Sequence, residues 1–232
     1  MSRLDDLNRF YQALKELGAR TSGPMILSQC NGHMTWPERG VYFFFEPGEG
    51  LSDSRVGQRV VRVGTHALTA GSRTTLWNRL AQHRGTVTPK GGNHRGSIFR
   101  LLIGAALLAR DGTSDCTSWG QGSAADPAIR KSERAVEARV SDYVGAMPFL
   151  WLAVDDPSGA DTCRPYIERN SIALLSNFAK PAIDLPSPHW LGHRCPRDRV
   201  QCSGLWNQNH VEEAYDPSFL DTLDRLVSRM HL

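Results

Sequence analysis

The chain has 232 residues, 40% hydrophobic and 22% charged, the composition of an ordinary soluble globular protein with room for one large domain or a compact domain with additions. No apolar run approaches the roughly 18–20 residues needed to span a bilayer. The first residues alternate charge and apolar side chains without a signal-like apolar core, so a membrane role is excluded and the cytoplasm is the expected location.

A net charge of +3 hides an asymmetry: residues 54–110 contain no Asp or Glu, yet carry ten Arg or Lys side chains, so the remainder is net acidic. A stretch this one-sided points to a polyanion such as nucleic acid; the plainer reading is a solvated basic face.

In chain order, residues 3–18 read as an amphipathic helix, with Leu4, Leu7, Phe10, Leu14 and Leu17 at helical spacing. Ser22-Gly23-Pro24 breaks it, and residues 24–30 form a short strand or connector. Residues 41–45, Val-Tyr-Phe-Phe-Phe, read as a buried strand, 46–54 as a loop, and 58–64 as a second strand antiparallel to the first. Ser72 or Thr74 caps a helix running to about Arg84, 85–96 is loop-like, and 97–110 is a further helix. Residues 111–126 are a polar linker, 127–143 a charged helix, 149–154 a third strand, 160–178 a helix, 180–213 irregular, and 217–232 a final amphipathic helix. The expected fold is α+β: a small mixed or antiparallel three-stranded sheet flanked by helices. The expected division is an N-terminal helical extension (1–37), a core (38–180), and a C-terminal irregular segment with its helix (181–232).

Gly40-Val41-Tyr42, Arg62-Val63-Gly64 and the helix Leu76-Trp77-Asn78-Arg79-Leu80-Ala81-Gln82-His83 follow one another in the order of a known constellation. With Glu168 on a later helix, the set resembles the core of the GIY-YIG nuclease superfamily over roughly residues 38–180. In that family a Gly-Ile-Tyr strand, a Tyr-Ile-Gly strand, an Arg-x-x-x-His helix and a metal-holding glutamate make up the site. The chain departs from the pattern where Arg62 replaces the second tyrosine, and in its longer connections, which resemble the restriction-endonuclease branch. The resemblance implies an endonuclease hydrolysing DNA phosphodiester bonds with Mg2+ or Mn2+, of restriction or genome-defence type, on double-stranded DNA, with a homodimer on a palindromic site as one arrangement.

The chemistry gives each residue a task. A phenol is a poor base at neutral pH, and a neighbouring cation favours its ionised form. Tyr42 is therefore expected to deprotonate the attacking water, with Arg62 tuning it. Arg79 and His83, four apart on a helix, share one face; Arg79 stabilises developing negative charge and His83 orients water or phosphate. Glu168 heads a stripe with Ile172, Leu175 and Ala179, and a carboxylate in such a setting needs a partner, either a divalent cation or an arginine. Asn177 lies opposite Glu168 on an ideal helix and is not placed in the site.

Arg73, Arg84, Lys90, His94, Arg95 and Arg100 are expected to contact the DNA backbone, positioning it without specifying sequence. The five cysteines are odd in number and widely spaced, which fits reduced thiols. His189, His193, Cys195, Cys202 and His210 are zinc-competent residue types without a zinc-site spacing, and buried thiols on a Trp/His-rich packing surface fit better. Two readings compete with the nuclease: a catalytically inactive nucleic-acid-binding module on the same fold, and a basic surface for an acidic protein.

Overall fold

The computed structural model describes residues 2–113 and 116–230. The last two residues of the expected C-terminal helix, and two of the expected 111–126 linker, lie outside the described residues.

Ser2 opens helix α1 (Arg3–Arg20) with a capping box closed by Asp5. Its buried positions Leu7, Phe10, Leu14 and Leu17 recur at helical spacing as the sequence announces, while Leu4, the first expected member of the stripe, is exposed. Four antiparallel strands follow: β1 (Met25–Ile26), β2 (Gly40–Gly50), β3 (Gln58–Gly64) and, after three more helices, β6 (Pro148–Ala153). They lie in the order β1-β6-β2-β3. The sheet therefore has four strands rather than three, because the two-residue β1 pairs through Met25 and Ile26 with the far side of β6.

Between β3 and β6 lie α2 (Leu76–Arg84), α3 (Ile98–Asp111) and α4 (Pro127–Gly145). Thr75 caps α2 in a box with Asn78, Ser97 caps α3, and Asp126 caps α4 ahead of a proline in its first turn. A small hairpin of β4 (Thr86–Val87) and β5 (Lys90–Gly91) occupies part of the expected loop 85–96. Helices α5 (Cys163–Leu175), α6 (Asp198–Ser203) and α7 (Phe219–Ser228) complete the chain.

Strand pairing sets which side chains share a face, since paired residues point the same way and neighbours alternate. Tyr42 pairs with Gly64 and Trp151, and Phe44 pairs with Arg62 and Phe149. These side chains share one face; there Phe44 meets Phe99 of α3 with ring centroids 5.3 Å apart, and His83 of α2 lies against Tyr42. Phe43 points to the other face, where its ring meets Phe10 of α1, and Phe10 in turn meets Phe219 of α7. One continuous core joins both faces and includes Trp190 and Trp206 of the C-terminal segment.

That segment is fastened to the sheet by polar contacts. Buried Glu46 accepts from the indoles of Trp190 (3.2 Å) and Trp206 (2.9 Å) and from the Tyr143 hydroxyl. Glu49 pairs with Arg59 at 2.7 Å in the interior. The open edge of β3 is covered: Trp206 N donates to Val61 O at 2.7 Å, and the Asn207 side chain brackets the Val63 N–H and C=O at 3.1 and 2.9 Å. An edge strand left bare is a template for unwanted pairing, and residues 206–207 remove it.

Candidate functional site

The site grows out of the β2–β3 register. Tyr42 lies opposite Gly64, and a Cβ at position 64 would sit 2.2 Å from Tyr42 Oη. The glycine ending the second strand motif is thus the space in which the phenol lies. Tyr42 Oη and His83 Nε2 are 2.8 Å apart, and His83 Nδ1 is 2.8 Å from Ser97 Oγ. Tyr42 and His83 are fully buried. Burial, followed by the charges of Arg79, Arg62 and Arg100, pushes the His83 imidazole well below its ordinary value, so it is neutral at physiological pH.

Arg62 reaches under this group from the paired strand. Its guanidinium donates to Trp206 O and stands 4.7 Å from the Phe99 ring centroid, while its Nε has no hydrogen-bond partner. Burial lowers its pKa, opposed first by the field of Tyr42; an arginine so placed keeps its charge. Arg79, on the same helix as His83, donates to Gln82 Oε1 at 2.6 Å and Gly96 O at 3.4 Å, and its Nε is likewise unpartnered. The unpartnered Nε is shared with Arg39, Arg59, Arg84 and Arg95; among the described residues neither Arg62 nor Arg79 is paired with a carboxylate, unlike Arg59 and Arg95.

Glu168 on α5 approaches from the end of β3. Its Oε1 accepts from Thr65 N at 3.1 Å, and Oε2 has no protein partner among the described residues. Burial raises its pKa, opposed by the charges of Arg62, His210 and Arg79 and by the Thr65 N–H. Tyr42 and His83 bond directly, and Arg62, Arg79 and Glu168 lie near enough for their charges to act on one another. Among the described residues no group of three or more His, Cys, Asp or Glu could hold a metal. A lone carboxylate with a free oxygen suits Mg2+ completed by water and substrate oxygens; Glu168 is the side chain that would hold it. Asn177 is committed elsewhere: its Oδ1 accepts from Arg3 at 3.0 Å and Ile183 N at 3.0 Å.

His66 has no counterpart among the sequence-predicted residues. It is 5% exposed, its Nδ1 donates to Thr74 O at 2.8 Å, and its Nε2 lone pair has no partner. Burial pushes it down to about 4, with Arg164, Arg79 and Arg39 adding to the shift. A single histidine after Gly64-Thr65 carries no periodicity that would mark it. Ser97 was legible only as the start of a helix.

The expected DNA-contacting residues separate. Arg73 and Lys90 are exposed, Lys90 beside Asp142. Arg100 is not a surface residue. It is fully buried, paired with Glu137, and its Nη1 donates to His83 O at 2.9 Å and Arg84 O at 3.2 Å. The Arg95 side chain is 5% exposed and forks onto Glu133 at 2.6 and 2.8 Å. His94 is buried, 3.0 Å from Glu137 and stacked 3.9 Å from Trp119. Arg84 lies over the Trp77 ring and donates to Cys30 O. These four bind protein groups in the structure. Exposed basic side chains that were not singled out, Arg130 and Arg134 of α4, join Lys90 in lining a cavity of about 570 Å³ beside Gln82 and Gly96.

The His189–His210 cluster is dispersed. His193 bonds Ser187 O at 3.0 Å, His210 pairs with Glu213 at 2.8 Å, Cys195 is buried and Cys202 exposed, and the cysteines are free thiols. No described helix is long and apolar enough to cross a membrane.

Comparison with known proteins yields one match. A family model for the GIY-YIG domain covers residues 1–232. No curated protein and no solved structure matches.

Proposed function

The chain belongs to the GIY-YIG domain family, a family of nucleases, and from this premise we propose that it is a divalent-metal-dependent endonuclease of double-stranded DNA, of restriction or genome-defence type. The observation that carries the reading is the convergence of a buried phenol, the buried Arg62 and half-buried Arg79 guanidiniums, neither paired with a carboxylate among the described residues, and a half-free carboxylate at one end of the β2–β3 pair.

Each group has a step. Arg62 and Arg79 offer N–H donors to the scissile phosphate and offset the charge that develops on it. Tyr42 enters the step as the phenolate and its Oη takes a proton from the attacking water as the water oxygen bonds to phosphorus; the bond to the leaving oxygen breaks, that oxygen is protonated from solvent, and the Tyr42 phenol returns its proton to solvent before the next turnover. A divalent cation held by Glu168 would supply Lewis-acid stabilisation of the phosphate. Arg62 takes the position of the family's second tyrosine and supplies a fixed positive charge beside Tyr42. Arg73, Lys90, Arg130 and Arg134 hold the flanking backbone, while Arg84, His94, Arg95 and Arg100 build the wall behind the site.

Plasmid DNA, phage DNA and a structured RNA, each incubated with the purified chain in Mg2+, Mn2+ or EDTA, test the reading. DNA cut in the metals and intact in EDTA is the expected result, with discrete fragments marking a sequence-specific enzyme. DNA that stays whole in every metal while still shifting in a gel replaces the nuclease with a binding module.

A further inference from the structure

Tyr42, His83 and Ser97 form a chain of two hydrogen bonds, each 2.8 Å long, with all three residues buried. While tyrosine and imidazole are both neutral, this chain holds three hydrogens, one per residue. Two links accommodate two of them, so one is always left over. Its location depends on the histidine tautomer.

Ser97 Oγ already accepts from Arg100 N at 3.3 Å as the cap of α3. If the imidazole proton sat on Nδ1, Ser97 Oγ would accept a second N–H and its own hydroxyl hydrogen would be stranded. Among the described residues that hydroxyl has no other acceptor, and at 1% exposure water cannot reach it. A buried donor without an acceptor is costly. If the proton sits on Nε2, Ser97 donates to Nδ1 and the leftover hydrogen is the one on Tyr42, which is equally buried and would be stranded as well in the neutral phenol; a Tyr42 that acts as base has lost that hydrogen. With Tyr42 ionised, two links hold two hydrogens and none is stranded.

We propose that Ser97 is a positioning residue that holds His83 as the Nε2–H tautomer, so that His83 donates to Tyr42 Oη and supports its ionised form instead of taking its proton. The assignment rests on the nuclease reading, in which Tyr42 is the base and gives up its hydrogen; the NMR readout below measures the tautomer independently of cleavage. The surroundings agree. His83 faces Arg79 from its own helix, Arg62 from β3, Arg100 from α3 and Tyr42 from β2, and no carboxylate bonds to it among the described residues. Glu137 of α4 stops at Arg100, whose Nη1 holds the His83 carbonyl at 2.9 Å. Ringed by guanidiniums, the imidazole resists a second proton. His83 acts as a fixed donor rather than as a relay.

Ring nitrogen–proton correlation NMR on the whole labelled chain reads the tautomer without substrate. The expected result is His83 protonated on Nε2 and bare on Nδ1, a tautomer mixture in Ser97→Ala, and recovery in Ser97→Thr. Protonation of the wild-type ring on Nδ1 overturns the proposal. The second readout is the pH profile of DNA cleavage. Ser97→Ala moves the rising limb to higher pH and converges on the wild-type plateau, and Ser97→Thr returns it. A packing defect instead lowers the rate by one factor at every pH, and that outcome removes the catalytic role. A chain that cuts nothing yet carries His83 as Nε2–H refutes the nuclease reading and leaves the Ser97 assignment standing.

Discussion

Glu137→Gln changes one atom in the wall behind the site. The wild-type carboxylate accepts from His94 N at 2.6 Å, His94 Nδ1 at 3.0 Å and Arg100 Nε at 3.0 Å, as well as from Arg100 Nη2. The side chains of Arg100 and Glu137 are 0% and 6% exposed, so water cannot replace the lost charge. In the variant an amide N–H2 faces guanidinium N–H groups, and Arg100 becomes an unpaired interior cation. Breaking a buried pair by removing one partner costs about 3–5 kcal/mol. For a chain of 232 residues that corresponds to a fall in Tm of about 6–20 °C, at roughly 2–4 °C per kcal/mol. Denaturant and thermal unfolding of wild type, Glu137→Gln and the double variant Arg100→Met/Glu137→Leu measure it. The double variant removes both charges and recovers part of the loss. A Glu137→Gln chain within about 0.5 kcal/mol of wild type, alongside an Arg100→Ala chain that is equally stable but binds DNA weakly, would refute the structural role and return Arg100 to the DNA surface.

Gly64→Ala places a Cβ 2.2 Å from Tyr42 Oη and so must move either the phenol or the strand end; cleavage falls by at least the ~10²-fold associated with a displaced general base, read from single-turnover rates. His66 is held neutral down to about pH 4 in the folded chain against an ordinary value of 6.5. Between those values the unfolded chain binds more protons, so stability decreases as pH falls from 6.5 to about 4. His66→Gln flattens that part of the stability–pH curve, measured by urea midpoints, and an unchanged slope contradicts it. Arg130→Glu with Arg134→Glu weakens DNA binding and lowers the slope of log affinity against log salt by about 2, roughly one per lost phosphate contact; an unchanged slope removes α4 from the DNA surface.

The strongly periodic parts of the molecule were legible in the sequence. The α1 stripe apart from exposed Leu4, the aromatic strand at 41–45, the strand at 58–64 and the helix carrying Arg79 and His83 appear where the pattern places them, but β2 runs on to Gly50 through the expected loop and Thr75, not Ser72 or Thr74, caps α2. The two-residue β1 was not, because pairing with β6 is a tertiary fact with no period of its own. The β4–β5 hairpin was hidden for a similar reason, in a glycine-rich run that reads as loop. Charge counting misled more instructively. The acid-free stretch 54–110 looks like an open basic face, yet Arg59, Lys90, Arg95 and Arg100 pair with Glu49, Asp142, Glu133 and Glu137 from outside it. Composition along the chain cannot reveal which cations are neutralised across the fold. Gly64 and Ser97 show the same limit. One makes room for a phenol 22 residues earlier and the other bonds a histidine 14 residues earlier, and only the register and the helix packing bring these partners together.

Cleavage of supercoiled plasmid by wild type, Tyr42→Phe and Glu168→Ala, each in Mg2+ and in EDTA, tests the central claim most directly. The account predicts nicking or cutting by wild type in Mg2+ alone, and loss of at least about 10²-fold in both variants while their DNA affinity is retained. Wild-type rates in Glu168→Ala, or undiminished cutting in EDTA, would contradict it.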